Sequence, residues 1–167
     1  MSKQLILVAC LTLRVICIVQ AAKTVKQCEK QLPASLKSKL CDIRQYKNVD
    51  GPDMDKHMDC VMKALEFVDA TGRGDFQKLY KPMTAVDADS RKHNVNIETC
   101  QGKTWRLERT VKAHEFYKCL LQSSSADAFK KVFDLTELVK AGKLPSTETY
   151  SAKVEKMIKK IDAKVCK

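Results

Sequence analysis

Two carboxylates, Asp134 and Glu137, lie within the stretch 130–138, whose apolar residues would point in every direction around a helix. A helix that is apolar all round is typically buried. Residues three positions apart share one helical face, so the two carboxylates would lie side by side. An ionised carboxylate in an apolar setting requires a cation and hydrogen bonds. The pair therefore predicts a site for a positive charge, either a ligand or one of the lysines Lys130, Lys131 and Lys140.

Neighbouring elements must hold this pair in place. Residues 123–125 are serines that can cap the N-terminus of the helix, and Gly142 can close its C-terminus. Three further helical patterns carry polar side chains on or beside their apolar faces. Arg44 belongs to the first, which contains Leu36, Leu40 and Ile43; His57 belongs to the second, which Asp53 caps; Tyr117 belongs to the third, within 106–122.

The pattern of the remaining chain indicates an all-α protein. The sequence has only 5 glycines and 4 prolines, and apolar residues recur at the helical period. Residues 75–96 predict a short helix followed by a polar loop in which His93 is solvated. The last helix combines an apolar stripe with a lysine-rich outer face. We find no glycine-rich phosphate loop, Gly-x-Ser-x-Gly motif or zinc-binding helix, so we expect neither catalytic residues nor a cofactor.

The N-terminal residues 1–21 predict a secretory signal peptide, because a basic residue and an apolar run precede a small-residue cleavage site. Cleavage leaves 22–167 as a single domain with 29 basic and 20 acidic residues, a net charge of +9. Six of the 8 cysteines remain. An even number in a small exported chain favours three disulfides over a metal site.

The spacing of these cysteines resembles that of the insect odorant-binding superfamily, although 18 residues separate Cys41 from Cys60 and the usual fifth cysteine is missing. Together with the stretches 32–46, 51–65, 116–121 and 129–142, it is similar to the short-form D7 salivary proteins of blood-feeding mosquitoes. The resemblance implies a compact odorant-binding-protein-like helical domain with an added C-terminal helix. It also implies the disulfides Cys28–Cys60, Cys41–Cys166 and Cys100–Cys119.

Proteins of that family bind biogenic amines, so the resemblance implies a secreted salivary scavenger of serotonin, histamine and catecholamines. Such a protein would counter vasoconstriction, platelet activation and inflammation during blood feeding. The family's amine-binding carboxylates match Asp134 and Glu137, and Phe133 matches the residue whose carbonyl meets the amine. The family's contacts to the ligand's ring and hydroxyl groups match His57 and Tyr117. Its glutamate and arginine near the aromatic end match Glu29 and Arg44.

Two alternatives remain open at this stage. The protein could act as an anticoagulant that inhibits contact-phase clotting factors through its lysine-rich exterior, or carry apolar odorants or lipids. The basic exterior could also contact polyanionic surfaces. We expect a monomer that binds no nucleic acid and no membrane. Residues 102–110, which include Trp105, depart from the family pattern and would alter contacts at the rim of the pocket.

Overall fold

The structure of the protein is a computed structural model that describes residues 24–167. The predicted signal peptide lies outside the described residues. Within them the regular secondary structure is helical, as predicted, and one isolated β-bridge joins Val68 and Gly74. None of the helices in 24–167 is long and apolar enough to cross a membrane. The helices are α1 Val25–Lys30, α2 Ala34–Lys37, α3 Leu40–Arg44, α4 Pro52–Ala64, α5 Phe76–Val86, α6 Ser90–Thr104, α7 Arg109–Leu121, α8 Ala126–Lys140 and α9 Ala152–Val165.

Helix α8 has the bounds that its sequence signals predict. It follows Ser125, and its C-terminal end closes where Gly142 adopts a φ of 69°, in the left-handed region that favours glycine. The amide of Lys143 then donates to the carbonyl of Leu138 at 2.9 Å. This arrangement satisfies carbonyls that the last helical turn would otherwise leave unpaired.

Helix α8 packs against two apolar clusters, which explains why its apolar residues point in several directions. Its residues Phe129, Val132 and Phe133 belong to a large cluster formed mainly with α4, α5 and α7. Leu138 belongs to a smaller cluster with Val154 and Ile158 of α9 and with Leu144. Asp134 and Glu137 of α8 therefore lie between the main body and the C-terminal helix α9.

The prediction for residues 75–96 was wrong beyond the short helix α5. The predicted polar loop is the first half of α6, and His93 is 0% exposed. The buried face of α6 consists of His93, Ile97, Cys100 and Thr104, which recur at helical spacing but include only one aliphatic side chain. A count of apolar residues therefore missed this helix.

The imidazole of His93 is fully hydrogen-bonded. Its Nε2 lies 3.0 Å from the carbonyl oxygen of Asp87, which can only accept, and its Nδ1 lies 2.8 Å from Oγ of Ser125. The same Oγ accepts from Nδ2 of Asn96 at 2.8 Å. A neutral imidazole that donates from Nε2 and accepts at Nδ1 satisfies every partner. This cluster joins α6 to the start of α8.

Three disulfides link the helices in the pairs that the resemblance implies. Cys28–Cys60 joins α1 to α4, and Cys100–Cys119 joins α6 to α7. Cys41–Cys166 joins α3 to the residue after α9, across 125 positions of sequence. The last bridge holds α9 against the body of the protein, beside the carboxylates of α8.

Candidate functional site

Three carboxylates converge on a single guanidinium, that of Arg44. Nη1 of Arg44 lies 2.6 Å from Oε2 of Glu137, and its Nη2 lies 3.4 Å from Oδ1 of Asp134. Its Nε donates to Oδ1 of Asp162 on α9 at 3.1 Å. The Arg44 side chain is only 15% exposed. The group therefore carries one positive charge against three acidic side chains in a poorly solvated place.

Tyr46 completes this group and was missed by the sequence analysis. Its hydroxyl donates to Oδ1 of Asp134 at 2.9 Å. Its φ of 58° lies in the left-handed region, which costs a bulky residue on the order of 1–2 kcal/mol. Such strain persists where the surrounding structure requires it. A left-handed residue just after the short helix α3 leaves no trace in apolar periodicity, so the pattern carried no signal for it.

The imbalance of charge affects the ionisation of the buried groups. Burial raises the pKa of Asp134 to about 6, and the negative charges of Glu137 and Asp162 act in the same direction. The hydrogen bond from Tyr46 and the charge of Arg44 oppose this rise. Burial alone would lower the pKa of Arg44, but Glu137 and Asp134 outweigh it and raise the pKa overall. The guanidinium therefore stays charged, and a further cation would be favourable beside it.

A cavity of about 560 Å³ opens against this group. Its walls come from α1, α3, α4, α7, α8 and α9, and it is mostly apolar with a few polar side chains, as is common for small-molecule sites. Its apolar lining includes Leu32, Ile43, Met58, Val61, Leu138 and Ile161.

The structure brings the seven predicted site residues together. Asp134, which is 7% exposed, lies behind the cavity wall against Arg44 and Tyr46. The other six line the cavity; they are Glu29, Arg44, His57, Tyr117, Phe133 and Glu137. Their roles in binding stay predictions.

Arg44 makes a contact that the resemblance did not imply, because its guanidinium donates to Glu137 and Asp134. Its place near the aromatic end of a ligand, with Glu29, stays a prediction. Spacing along the chain could not predict the contact between Arg44 and Glu137, because 93 positions separate the two residues. In this structure Arg44 supplies the cation that the carboxylates require.

His57 and Tyr117 face the cavity from α4 and α7. Burial lowers the pKa of His57 from 6.5, so its ring is neutral near pH 7 and can both donate and accept a hydrogen bond. Burial also raises the pKa of Tyr117, whose ring packs 5.7 Å from that of Phe133. Glu29 has a raised pKa as well, through burial and then through the charge of Glu137. These groups suit the polar atoms of an aromatic ligand.

The loop around Trp105, which departs from the family pattern, does not border the cavity. The expectation that it alters contacts at the rim of the pocket was therefore wrong. None of residues 102–110 lines the cavity. Trp105 is instead 54% exposed and stacks under the guanidinium of Arg73, 4.1 Å from the ring centroid.

Comparison with known sequences places this chain among salivary proteins of mosquitoes. The model of the PBP/GOBP family matches residues 17–123. Short form salivary protein D7R1 of Anopheles gambiae is 58% identical over 149 residues, which are 89% of this chain and 90% of that protein. Short form salivary protein D7R1 of Anopheles stephensi is 52% identical over 167 residues, which are 100% of both chains.

Solved structures agree with the sequence comparison. The crystal structure of the Anopheles gambiae D7R4–norepinephrine complex matches with a TM-score of 0.82 and 48% identity, over 87% of this chain and 100% of that one. The AeD7–leukotriene E4 complex matches with a TM-score of 0.66 and 27% identity, over 79% of this chain and 47% of that one. The helical fold, the matched family model and these relatives agree, and the chain belongs to the PBP/GOBP family and, within it, to the short-form D7 salivary proteins.

Proposed function

We propose that the protein is a secreted salivary scavenger that sequesters biogenic amines such as norepinephrine, serotonin and histamine, without changing them chemically. The observation that carries the proposal is the excess of carboxylates around Arg44 at one end of an apolar cavity. A cationic ligand would reduce this excess, whereas an anionic ligand would increase it. The relative D7R4, solved with norepinephrine, supports the same class of ligand.

The ammonium of a ligand would enter the position that the Arg44 guanidinium now shares with the carboxylates. A primary ammonium has three donors, and Glu137 and Asp134 offer acceptors one helical step apart. Arg44 would give up Glu137 but could keep its bond to Asp162, which is 3.1 Å long here. The exchange would therefore replace one ion pair by another and leave no buried charge unpaired.

The aromatic ring of the ligand would occupy the apolar part of the cavity. His57 and Tyr117 line the same cavity and could hydrogen-bond a ring hydroxyl or ring nitrogen. Glu29 also lines the cavity and offers a further acceptor. A ligand without these polar atoms would bind through its ammonium and its ring alone.

Sequestration removes one ligand molecule for each protein molecule. A scavenger of this kind would lower the free concentration of host amines at the bite and so counter vasoconstriction, platelet activation and inflammation. Effective one-for-one removal requires a dissociation constant near or below the concentration of the amine.

Titration calorimetry with norepinephrine, serotonin and histamine tests the proposal directly. We expect a one-to-one stoichiometry and much weaker binding of N-acetylserotonin, which keeps the ring hydroxyl but lacks the ammonium. Leukotriene E4 serves as an anionic control, which tests whether the carboxylates of the Arg44 cluster outweigh Lys26 and Lys143, which also line the cavity. No heat with any of the three amines would refute the proposal and favour the alternative of a clotting-factor inhibitor that acts through its exterior.

A further inference from the structure

Four lysines form a row on the outward face of α9. Lys153, Lys156, Lys160 and Lys164 recur every three or four residues, so their side chains share one face of the helix, and all four are exposed. The row extends roughly 16 Å at a rise of about 1.5 Å per residue. We call these four residues the lysine stripe.

The acidic residues of α9 do not neutralise the stripe. Glu155 pairs with Lys159 at 2.7 Å, outside the stripe, and Asp162 turns inward to Arg44 at 3.1 Å. No other acidic residue belongs to α9. The helix therefore directs its negative charges to other partners and leaves its outward face positive.

Other elements contribute little negative charge to the stripe. Lys153 approaches Glu148 with a separation of 3.6 Å, while its own side chain is 70% exposed. Within residues 24–167, no carboxylate lies within 4.0 Å of the ammonium of Lys156, Lys160 or Lys164.

The stripe is held on a fixed support. Val154 is 0% exposed and Ile158 is 8% exposed, so the opposite side of α9 is packed into the second apolar cluster. The Cys41–Cys166 bridge fixes the end of the helix. Binding would therefore order lysine side chains but no backbone, which lowers the entropic cost of association.

We propose that the lysine stripe binds a linear sulfated polysaccharide. A row of ammonium groups on a straight support matches a chain that carries a negative group at regular intervals, and the net charge of +9 on residues 22–167 adds attraction at long range. An anionic membrane fits less well. Helices that lie in a membrane surface insert an apolar face, and that of α9 is buried in the protein.

The stripe and the cavity use different sides of the same helix. Ile161 and Val165 of α9 line the cavity, and the stripe points away from it. Both ligands could therefore be bound at once. The inference does not depend on the proposed function, but a scavenger held on sulfated polysaccharide would stay where host cells release amines.

The test measures binding to an immobilised heparin oligosaccharide at increasing salt concentrations. One variant replaces the stripe by glutamine (K153Q/K156Q/K160Q/K164Q). Its matched control removes the same charge from scattered exposed positions on other helices (K56Q/K81Q/R91Q/K103Q). We expect the stripe variant to lose between roughly tenfold and a thousandfold in affinity at physiological salt, with a slope of log K against log salt smaller by about four. The control variant should retain most of the affinity.

Equal losses in both variants would overturn the proposal, because net charge alone would then explain binding. No binding by the parent protein would overturn it as well. Desulfated heparin of the same length should fail to bind. Retention on phosphatidylserine vesicles without binding to heparin would assign the stripe to membranes instead.

Circular dichroism of each variant confirms folding, and norepinephrine binding in the presence of heparin tests the two sites separately.

Discussion

The His93 cluster and the Arg44 cluster are two buried polar groups that differ in how their hydrogen bonds and charges are balanced. In the His93 cluster every donor meets an acceptor, and a neutral imidazole is sufficient. In the Arg44 cluster one guanidinium serves three carboxylates, and the pKa of Asp134 rises to about 6. Each cluster includes a buried side chain from α8 or from the residue just before it, namely Ser125 in the His93 cluster and Asp134 in the Arg44 cluster.

The difference separates a structural cluster from one suited to binding. A buried polar group that is fully satisfied by its neighbours stabilises one arrangement of helices and has nothing to offer a ligand. A buried group with unbalanced charge is costly unless another charge joins it. Of these two clusters, the Arg44 cluster is the one that faces a cavity, where a ligand could supply the missing charge.

Removal of a carboxylate from the Arg44 cluster should have the largest effect on binding. Asp134→Asn and Glu137→Gln keep the shape of the side chain but remove its charge. Loss of one partner from a desolvated ion pair costs about 2–5 kcal/mol, or roughly 30-fold to several thousandfold in affinity for an amine. Calorimetry with norepinephrine and serotonin measures this loss.

Asp127→Asn is the matched control, since Asp127 lies on the same helix with its side chain 81% exposed. It should bind amines like the parent protein. The free energy of unfolding of Asp134→Asn should stay level or increase at pH 7.5, because the empty site loses an excess negative charge. Unchanged amine affinity in both carboxylate variants would rule out the proposed site.

The opposite result is expected for the His93 cluster. Ser125→Ala removes the hydroxyl that serves Nδ1 of His93 and Nδ2 of Asn96. Leaving buried polar groups unpaired costs about 1–3 kcal/mol. Urea denaturation should show this loss of stability, while the affinity for norepinephrine stays the same.

Ser124→Ala is a control for this experiment, because Ser124 also bonds Asn96 but lies at the exposed edge of the cluster. Ser124→Ala should lower the free energy of unfolding by much less than Ser125→Ala. A large loss of amine affinity in Ser125→Ala would show that the two clusters are coupled through α8, and the comparison would fail.

The pH dependence of binding tests the Arg44 cluster without changing its shape. Asp134 takes up a proton near pH 6 in the free protein, so the affinity for norepinephrine should fall about tenfold between pH 7 and pH 5. The ammonium of the ligand stays charged over this range. Calorimetric titrations at several pH values measure the change, and Asp134→Asn should reduce it. A constant affinity would exclude Asp134 from the site.

The same pKa has a consequence for stability with the opposite sign. The folded-state pKa of Asp134 lies above its ordinary value of 3.8. Stabilisation from protonated Asp134 is therefore fully present below about pH 4 and is lost as the pH rises through about 6. In the free protein this group favours the folded state in acid, while amine binding is favoured at neutral pH.

The smallest expected effect concerns the aromatic end of the cavity. His57→Ala should weaken the binding of norepinephrine by roughly 1 kcal/mol, about fivefold in affinity, because a hydrogen bond to a ring hydroxyl is lost. Phenylethylamine, which has no ring hydroxyl, should be affected less. Equal losses for both amines, measured by calorimetry, would show that His57 acts only in packing.

Three of the predicted site residues have a local signal in the sequence for their place at or beside the cavity. Asp134 and Glu137 are three positions apart in an apolar helix, and His57 falls within an apolar helical arc, so short-range periodicity is sufficient. The contact of Arg44 with Glu137 depends on how separate helices pack, 93 residues apart. Tyr46 reaches Asp134 through a left-handed backbone. His93 was misjudged because the buried face of its helix is largely polar.

The order in which the bridges can close follows from the Cys41–Cys166 disulfide. Cys28–Cys60 and Cys100–Cys119 span 32 and 19 positions, so each can close while later parts of the chain are still being made. The bridge to Cys166 must wait until residue 166 has been synthesised, and α9 supplies Asp162 and part of the cavity wall. The cavity beside the Arg44 cluster is therefore among the last parts of the protein to be assembled during biosynthesis. A chain secreted with only the two early bridges would fold its main body and still lack a closed site.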